Sequence, residues 1–458
     1  MFLATAPWSY GSLAGKGPAE LRQNVRRDVS GQGILPTLGL YYLAAGLETA
    51  GHRVEVLDGY GISRAQMLAR IAKSKPDVVG LSLQTPLWPE ARALMQDIRR
   101  QHPTMRIAAG GAHANLRKQA LLEDSDDINA VFLGNSDESF SNWVTHGNGT
   151  REVIRADTSR DVPLAYEPGF ATRVTARVPW DQCIPNLMFL GHPRFATSVS
   201  TLGCASSCSF CALPSNFRGR WARPADSVLE ELSYLREKRG TRTVNFMDDN
   251  TLFAHPGPEA DELLERLIDQ NLGIQWSIYL NRWEIDQERL NLMRRAGCFR
   301  VLLLAESGAQ PIADLAHGRH VPVDTIARTA ERAHRAGIQV GARFQIGFPG
   351  ETAADAEESI RFAMGLPLTL ASFVKTLILP GSRIAQKASK EGRAATEDER
   401  WSYYGRPVPP NAMSADDQSR IVKEGIRRFY LQKLVRGDLF RLPRIMHIVR
   451  RVLIDGTE

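Results

Sequence analysis

The chain of 458 residues carries a formal net charge of +6, with 43% hydrophobic and 24% charged residues. That balance excludes wholesale disorder, the length predicts two or three domains, and so small and widely spread a charge is no signature of nucleic-acid binding. The N-terminus, Met1-Phe2-Leu3-Ala4-Thr5-Ala6, lacks the charged start and long apolar run of a signal peptide. No uncharged run reaches the roughly 18–20 residues of a membrane span, so a cytoplasmic protein is expected.

From the N-terminus, short β-branched or apolar runs alternate with segments of helical periodicity. Strands are predicted at 1–6, 52–58, 77–83, 106–111 and 130–134, and helices at 37–50, 63–74, 88–101, 117–124 and 137–145. Such alternation predicts a parallel sheet with helices on both faces. Five strands suit a flavodoxin-like, doubly wound domain over 1–145, with its ligand crevice at the carboxyl ends of the strands. Residues 146–194, with Gly147, Gly149, several prolines and little periodicity, read as a linker wrapping between domains.

A second alternating series occupies 195–390. Strands are predicted at 195–202, 243–248, 274–280, 299–305, 338–347 and 372–379, with helices near 225–239, 259–271, 285–296, 322–336 and 352–365. Six units are too few to close an eight-stranded barrel, so an α/β fold with a partial (β/α)6 barrel is expected, its active site at the carboxyl ends of the strands. After Pro407, Pro409 and Pro410, helices at 415–436 and 439–453 make a C-terminal helical region, 391–458. Residues 420–453 hold ten Lys or Arg against two acidic residues, interleaved with apolar ones. Such a segment suits an anionic membrane surface or, more ordinarily, a helix packing its apolar face on the barrel, and no membrane partner is expected.

There are five cysteines: Cys183, Cys204, Cys208, Cys211 and Cys298. An odd, clustered set in a chain without a secretion signal points to metal or catalysis rather than disulfides. Cys298, at the end of a predicted helix, reads as a small buried residue; Cys183, in the linker, has no such context. Cys204, Cys208 and Cys211 follow the first barrel strand with the spacing C-x3-C-x2-C. A cubane cluster has four irons, each wanting a thiolate, so three close cysteines leave one iron open to a small molecule, as a catalytic zinc keeps one open position. A closed zinc site is the alternative, but it wants a fourth Cys or His nearby, and none lies between Cys211 and His255.

The spacing, with Phe210 before the third cysteine, resembles the signature of the radical S-adenosylmethionine (SAM) superfamily. FMDDN (246–250), LLAESGAQ (303–310), RFQIGFPGET (343–352) and LPGSRI (379–384) resemble successive strand ends of its barrel. The N-terminal phrases LPTLGLYYLAAGLETAGHRVEVLD, GLSLQT and GGAHA resemble the subgroup with a cobalamin-binding-type domain ahead of the barrel. The resemblance implies a [4Fe-4S] cluster on the three cysteines, and reductive cleavage of SAM, chelated at the open iron, to a 5′-deoxyadenosyl radical. An unactivated C–H bond has no acidity that a side-chain base can use, so hydrogen-atom abstraction replaces proton transfer, while the protein positions the cofactor and excludes water.

The resemblance also names cofactor-binding candidates. Asp248 and Asp249 stand where relatives carry a Gly-Gly-Glu turn that meets the methionine amine. Glu306 and Ser307 are candidates for ribose or carboxylate, Arg343 and Gln345 face the cavity, and Gly347 shapes a turn near the adenine. For the single side chains among these, a salt bridge or helix cap is the alternative. In the first domain Ser82, Thr85, Gly110 and Gly111 fall where relatives accommodate the cobalamin nucleotide tail. Asp58-Gly59-Tyr60-Gly61-Ile62 replaces the Asp-x-His-x-x-Gly motif that supplies a cobalt ligand elsewhere, so the domain either binds cobalamin or only covers the barrel. With cobalamin the implied reaction is methyl transfer to an unreactive carbon or phosphorus; without it, radical dehydration, epimerisation or rearrangement, as on aminosugars in antibiotic pathways. The implied partners are a small-molecule, natural-product substrate and an electron donor such as flavodoxin or ferredoxin. A non-catalytic corrinoid- or nucleotide-binding protein is the reading from another class, and the intact cysteines and acidic pair argue against it.

Overall fold

Runs such as Val78–Ser82, apolar at nearly every position, have no exposed face to offer and are satisfied only inside a parallel sheet covered on both sides. The computed structural model describes residues 1–6, 37–59, 61–147, 149–156, 169–178, 194–204, 206–211, 221–281, 284–376, 379, 381–390 and 413–436. The predicted helix at 439–453 and Cys183 lie outside them.

The first sheet is built from β1 (Phe2–Thr5), α1 (Leu38–Thr49), β2 (Glu55–Leu57), α2 (Arg64–Ser74), β3 (Val78–Ser82), α3 (Trp88–Gln101), β4 (Arg106–Gly110), α4 (Gly111–Arg117), α5 (Ala120–Asp124), β5 (Ala130–Leu133), α6 (Asp137–His146) and β6 (Glu152–Arg155). Its order is β2-β1-β3-β4-β5-β6, all parallel, the doubly wound arrangement with one further edge strand. Alternating residues feed two cores. Phe2, Val79, Leu81, Ile107 and Ala109 pack with α2 and α3; Leu3, Val78, Ala108 and Phe132 pack with α1 and α6. The single helix expected at 117–124 is two, α4 starting earlier at Gly111, whose φ of +86° turns the chain directly off β4.

Two elements fall within the stretch read as a linker: β6, and α7 (Phe170–Arg177). Phe170 and Val174 of α7 pack with Val178 against Tyr41 and Ala45 of α1.

The second sheet comprises β7 (Phe195–Ser198), then β10 (Thr243–Phe246), β11 (Gln275–Leu280), β12 (Cys298–Glu306), β13 (Gln339–Ile346) and β14 (Leu370–Lys375), parallel and in sequential order. A two-residue antiparallel ribbon, β8 (Thr201–Leu202) with β9 (Trp221–Ala222), follows β7. The helices are α8 (Ala225–Lys238), α9 (Pro258–Gln270), α10 (Gln287–Arg295), α11 (Gln310–His317), α12 (Val323–Arg335), α13 (Ala353–Gly365), α14 (Arg383–Lys390) and α15 (Ala415–Val435). Val244, Phe246, Trp276, Ile278, Val301, Leu303, Val340, Ala342 and Phe344 form the buried core under the helices. The alternate residues give the other face a polar surface of Asn245, Ser277, Tyr279, Arg343 and Gln345. The strand expected at 243–248 stops at Phe246, and Asp248 is buried in the turn beyond it.

Helix α15 is capped by the Ser414 hydroxyl, which accepts from the Asp417 amide at 3.0 Å. It lays Ile421, Val422 and Phe429 into the barrel core. The Tyr430 hydroxyl donates to the Ala371 carbonyl at 3.1 Å and Arg428 pairs with Glu357 at 2.7 Å, so over its described part, up to Arg436, this basic segment uses its apolar face inside the protein. Phe429 is fully buried; Phe429→Ala is expected to cost about 3–5 kcal/mol. Urea denaturation checks this, and a loss below about 1 kcal/mol would mean that the helix is not docked as described.

Candidate active site

The loop after β7 carries the three cysteines, and its backbone is tied down at its entry and again near Cys208. At the entry, Asp248 accepts from the Ser200 amide at 2.6 Å, the Ser200 hydroxyl at 2.6 Å and the Thr201 amide at 3.1 Å. Burial raises the Asp248 carboxyl against those hydrogen bonds, which lower it. Farther along, the Ser209 amide donates to the Ala316 carbonyl at 2.8 Å, and the guanidinium of Arg383 donates to the Ser207 carbonyl. Phe210 meets Phe348 edge-on, centroids 5.8 Å apart, beside Ala309, Ile312 and Ala316.

Cys204 is buried while Cys208 and Cys211 are partly open. Burial pushes the Cys208 thiol up to about 12, with Glu306, Cys211 and Cys204 adding in that order. All three groups therefore lie within electrostatic reach of one sulfur. Among the described residues no three His, Cys, Asp or Glu side chains stand close enough to hold an ion as they are. The donor set fits an iron–sulfur cluster, since thiolates are its ligands and the fourth described thiol is out of reach. Cys298 and Glu306 begin and end the nine-residue β12, roughly 26 Å apart at 3.3 Å per residue, and only Glu306 is near Cys208.

Around the loop the candidate residues divide into two groups. Glu306 is buried, has φ of +62°, and sits at a register break of β12 against β13. The Ser307 amide donates to the Ala305 carbonyl at 2.7 Å, closing a three-residue turn about Glu306. A bulky residue held in the left-handed region is strained, and here the strain aims the carboxylate along the polar face, where it accepts from Arg343 at 2.9 Å and Gln345 at 2.7 Å. Glu306, Arg343 and Gln345 are thus one array, with Arg343 at 35% side-chain exposure. Asp249 is open to solvent yet walled by protein; that desolvation, with Asp248 beside it, pushes its carboxyl up to about 6.

Asp248 and Ser307 are engaged elsewhere. Asp248 anchors the loop, and the fully buried Ser307 hydroxyl shares a hydrogen bond with Ser359 of α13 at 2.9 Å. Gly347 has φ of +106°, and a Cβ there would stand 2.7 Å from the Gln418 side chain. Tyr279, which hydrogen-bonds Asn245 and lies within the field of Arg343, extends the polar wall. The sequence reading missed it; the alternation of β11 was the signal that marks it as facing this side.

In the first domain the four candidates gather at the carboxyl ends of β3 and β4. A Cβ on Gly111 would stand 2.9 Å from Ser82 Oγ and 3.0 Å from the Leu83 backbone, and Thr85 Oγ1 is 3.2 Å from His113 Nδ1. His113 is stacked on Trp88, and burial lowers it to about 4, leaving it neutral near pH 7. The Leu116 side chain of α4 lies 3.2 Å from the Cβ position of Gly381, in the turn after β14, so the helix that follows β4 of the first sheet touches the turn that follows β14 of the second. A cavity of about 750 Å³ lined by Asp77, His102, Arg106 and Asn129 lies at the opposite, amino edge of the first sheet and contains none of these residues.

A cysteine loop at the carboxyl edge of a sequentially ordered parallel sheet, behind a doubly wound domain, defines an α/β cofactor enzyme. The radical SAM superfamily model matches residues 198–363 and the B12-binding domain model matches residues 29–144. The chain is a radical SAM enzyme with an N-terminal B12-binding domain, and a [4Fe-4S] cluster and SAM are its cofactors. It is 24% identical over 422 residues to an uncharacterized methyltransferase of Pyrococcus horikoshii, covering 88% of this chain and 90% of the relative. It is also 24% identical over 445 residues to the anaerobic magnesium-protoporphyrin IX monomethyl ester cyclase of Rubrivivax gelatinosus, covering 92% and 80%. In fold it resembles the radical SAM methyltransferase TsrM of Kitasatospora setae, solved with cobalamin and a [4Fe-4S] cluster bound, with a TM-score of 0.63, 16% identity and coverage of 94% and 88%. No described helix is long and apolar enough to cross a membrane.

Glu351 gives a pH test of the turn beside this site. Its Oε2 accepts from the Gly347 amide at 2.5 Å and the Phe348 amide at 2.8 Å, while Oε1 is buried without a partner. Burial pushes this carboxyl up to about 7, so the folded state holds the proton on Oε1 more tightly than the unfolded chain. The associated stability is full below about pH 4.5 and is lost as pH rises to about 7, at most about 3 kcal/mol. Glu351→Gln should flatten stability across that window in denaturant titrations; an unchanged slope would show that the carboxyl is not the group responsible.

Proposed function

We propose that Cys204, Cys208 and Cys211 hold the [4Fe-4S] cluster and that the enzyme transfers a methyl group, by way of cobalamin on the N-terminal domain, to an unactivated carbon or phosphorus centre of a small molecule. The supporting observation is the contact between Leu116, in the helix after β4, and Gly381, in the turn after β14, which brings chain leaving the carboxyl ends of both sheets together. The methyltransferase relative and the fold of TsrM support the same reading.

Held by Cys204, Cys208 and Cys211, the cluster would supply the electron for cleavage of the SAM sulfonium, and a donor such as flavodoxin or ferredoxin would renew it. What the chain itself contributes is position and charge. Asp249, whose tip is open in a desolvated cleft, meets the methionine amine. Arg343 is the accessible cation for a carboxylate, kept in place by Glu306, whose remaining contacts and those of Gln345 suit the ribose hydroxyls. Phe210 and Gly347 shape the wall around the adenine. In the first domain Gly111 lets the backbone approach the nucleotide tail, because any side chain there meets Ser82 and Leu83.

The cyclase relative favours a second reading, in which the radical remodels the substrate and no methyl group is gained. SAM carrying a deuterated methyl group separates the two: a product heavier by the labelled methyl supports transfer, and an unlabelled product supports remodelling. Cysteine-to-alanine variants at 204, 208 or 211 are expected to lose the iron–sulfur absorbance and electron paramagnetic resonance (EPR) signal after anaerobic reconstitution; retention of a four-iron signal in all three would refute the ligand assignment. Gly111→Val should abolish retention of added hydroxocobalamin through gel filtration while leaving the cluster signal intact. Undiminished corrinoid absorbance would remove the first domain's role.

A further inference from the structure

A fully buried ion pair lies beneath the cysteine loop, on residues that none of the cofactor contacts above use. Arg223 and Glu231 meet at 2.8 Å with side-chain exposures of 0% and 4%. Desolvating two charges costs several kcal/mol each, and apolar residues of similar volume serve stability as well or better. What the pair touches suggests a more specific role.

Arg223 follows β9, whose partner β8 leads into Cys204. Its amide donates to the Ser200 carbonyl at 2.9 Å. Its guanidinium donates to the Val199 carbonyl at 2.7 Å and to the Ser227 carbonyl and hydroxyl at 2.9 and 3.0 Å. Glu231, on α8, accepts from the Ser198 hydroxyl at 2.7 Å and, through its other oxygen, from Thr175 of α7 at 2.5 Å. Helix α7 packs on α1 of the first domain, and Tyr42 of α1 lies close enough to feel both charges. Residues 198–201, which lead into the first cysteine, are therefore held by this pair and by Asp248, while the same carboxylate holds the helix that docks the N-terminal domain.

We propose that Arg223 and Glu231 are positioning residues that set the entry of the cysteine loop and the seat of the N-terminal domain through one shared buried contact. The pair acts through Ser198, Val199 and Ser200 on the loop and through Thr175 on the domain; it touches no cofactor. Its effect on the loop rests on Cys204, Cys208 and Cys211 holding the cluster, whereas its effect on the domain does not.

The test compares the full-length wild-type chain, anaerobically reconstituted, with R223M/E231L, which removes both charges at similar volume, and with E231Q and R223K. Three quantities are read: thermal melting, the change that SAM makes in the EPR spectrum of the reduced cluster together with its dissociation constant, and hydrogen exchange in residues 38–49 and 170–177. The double variant should melt cooperatively and build a cluster. It should bind SAM at least tenfold more weakly, with the SAM-induced spectral change reduced, and exchange faster in both helices. R223K, which keeps the charge but not the forked donors, should recover part of the SAM response. SAM affinity within twofold of wild type together with unchanged exchange would overturn the proposal. If the double variant does not fold, E231Q, which keeps the volume but not the charge, carries the same comparison. Were wild type itself to build no cluster, the ligand assignment would fall, and the exchange measurement would still decide for or against the pair's role in docking.

Discussion

A loop that offers three thiols to a metal cannot also satisfy its own backbone through a sheet, because the residues that carry the sulfurs have left the strand. Every amide and carbonyl of such a loop needs a partner from elsewhere. Asp248 supplies it at the start, taking the Ser200 and Thr201 amides; the Ala316 carbonyl and Arg383 supply it near Cys208. These partners come from the ends of β10 and α11 and from the helix after β14, so the loop takes its shape only when most of the barrel has formed. Its carboxyl-edge position follows from topology, since successive parallel strands all deliver their outgoing chain to the same rim.

That rim also explains the division among acidic residues that look alike in sequence. Asp248 and Asp249 are neighbours, yet Asp248 is buried on the Ser200 and Thr201 amides, whereas Asp249 takes the Gly203 amide and keeps solvent exposure. The two negative charges feel each other, and that repulsion adds to desolvation in raising the Asp249 carboxyl. Glu306 reaches its array by a different device, a register break and a left-handed backbone at the end of β12. The strain is tolerable because Arg343 and Gln345 both hold the carboxylate where the distortion puts it, a pre-formed arrangement of the kind that sites needing fixed geometry use.

Much of this was legible in the sequence because it depends on short-range pattern. The strand and helix positions follow from hydrophobic period, and the cysteine spacing with Phe210 picks out the loop after β7 as the candidate metal site without any structure. What escaped is what depends on tertiary neighbours. β6 is four residues, Glu-Val-Ile-Arg, charged at both ends and set at a sheet edge, and only its pairing with β5 identifies it. α7 follows Gly169 in a stretch dense in turn residues, and its helical face is defined by α1 and α8 on either side. Ser307 could not be told from a cofactor ligand, because the Ser359 hydroxyl that engages it is 52 residues away. The pairing of Arg223 with Glu231 has no local signature in the sequence; their burial comes from tertiary neighbours, Thr175 of α7 and residues 198–200 at the entry of the loop.

The two domains are joined by different means at different places, and the difference is physical. Near the carboxyl rims an apolar contact is made by Leu116 against the turn at Gly381. On the flank, α7 is held by packing on α1, by Thr175 on Glu231, and by Gly169 and Ala176 on Glu230 and Arg239 of the barrel side. An apolar contact is non-directional and fixes separation without fixing angle, whereas hydrogen bonds, here including one from Thr175 to the buried Glu231 carboxylate, fix angle more sharply and weaken steeply when misaligned. Orientation between the sheets is therefore set at the flank, where α7 meets the barrel.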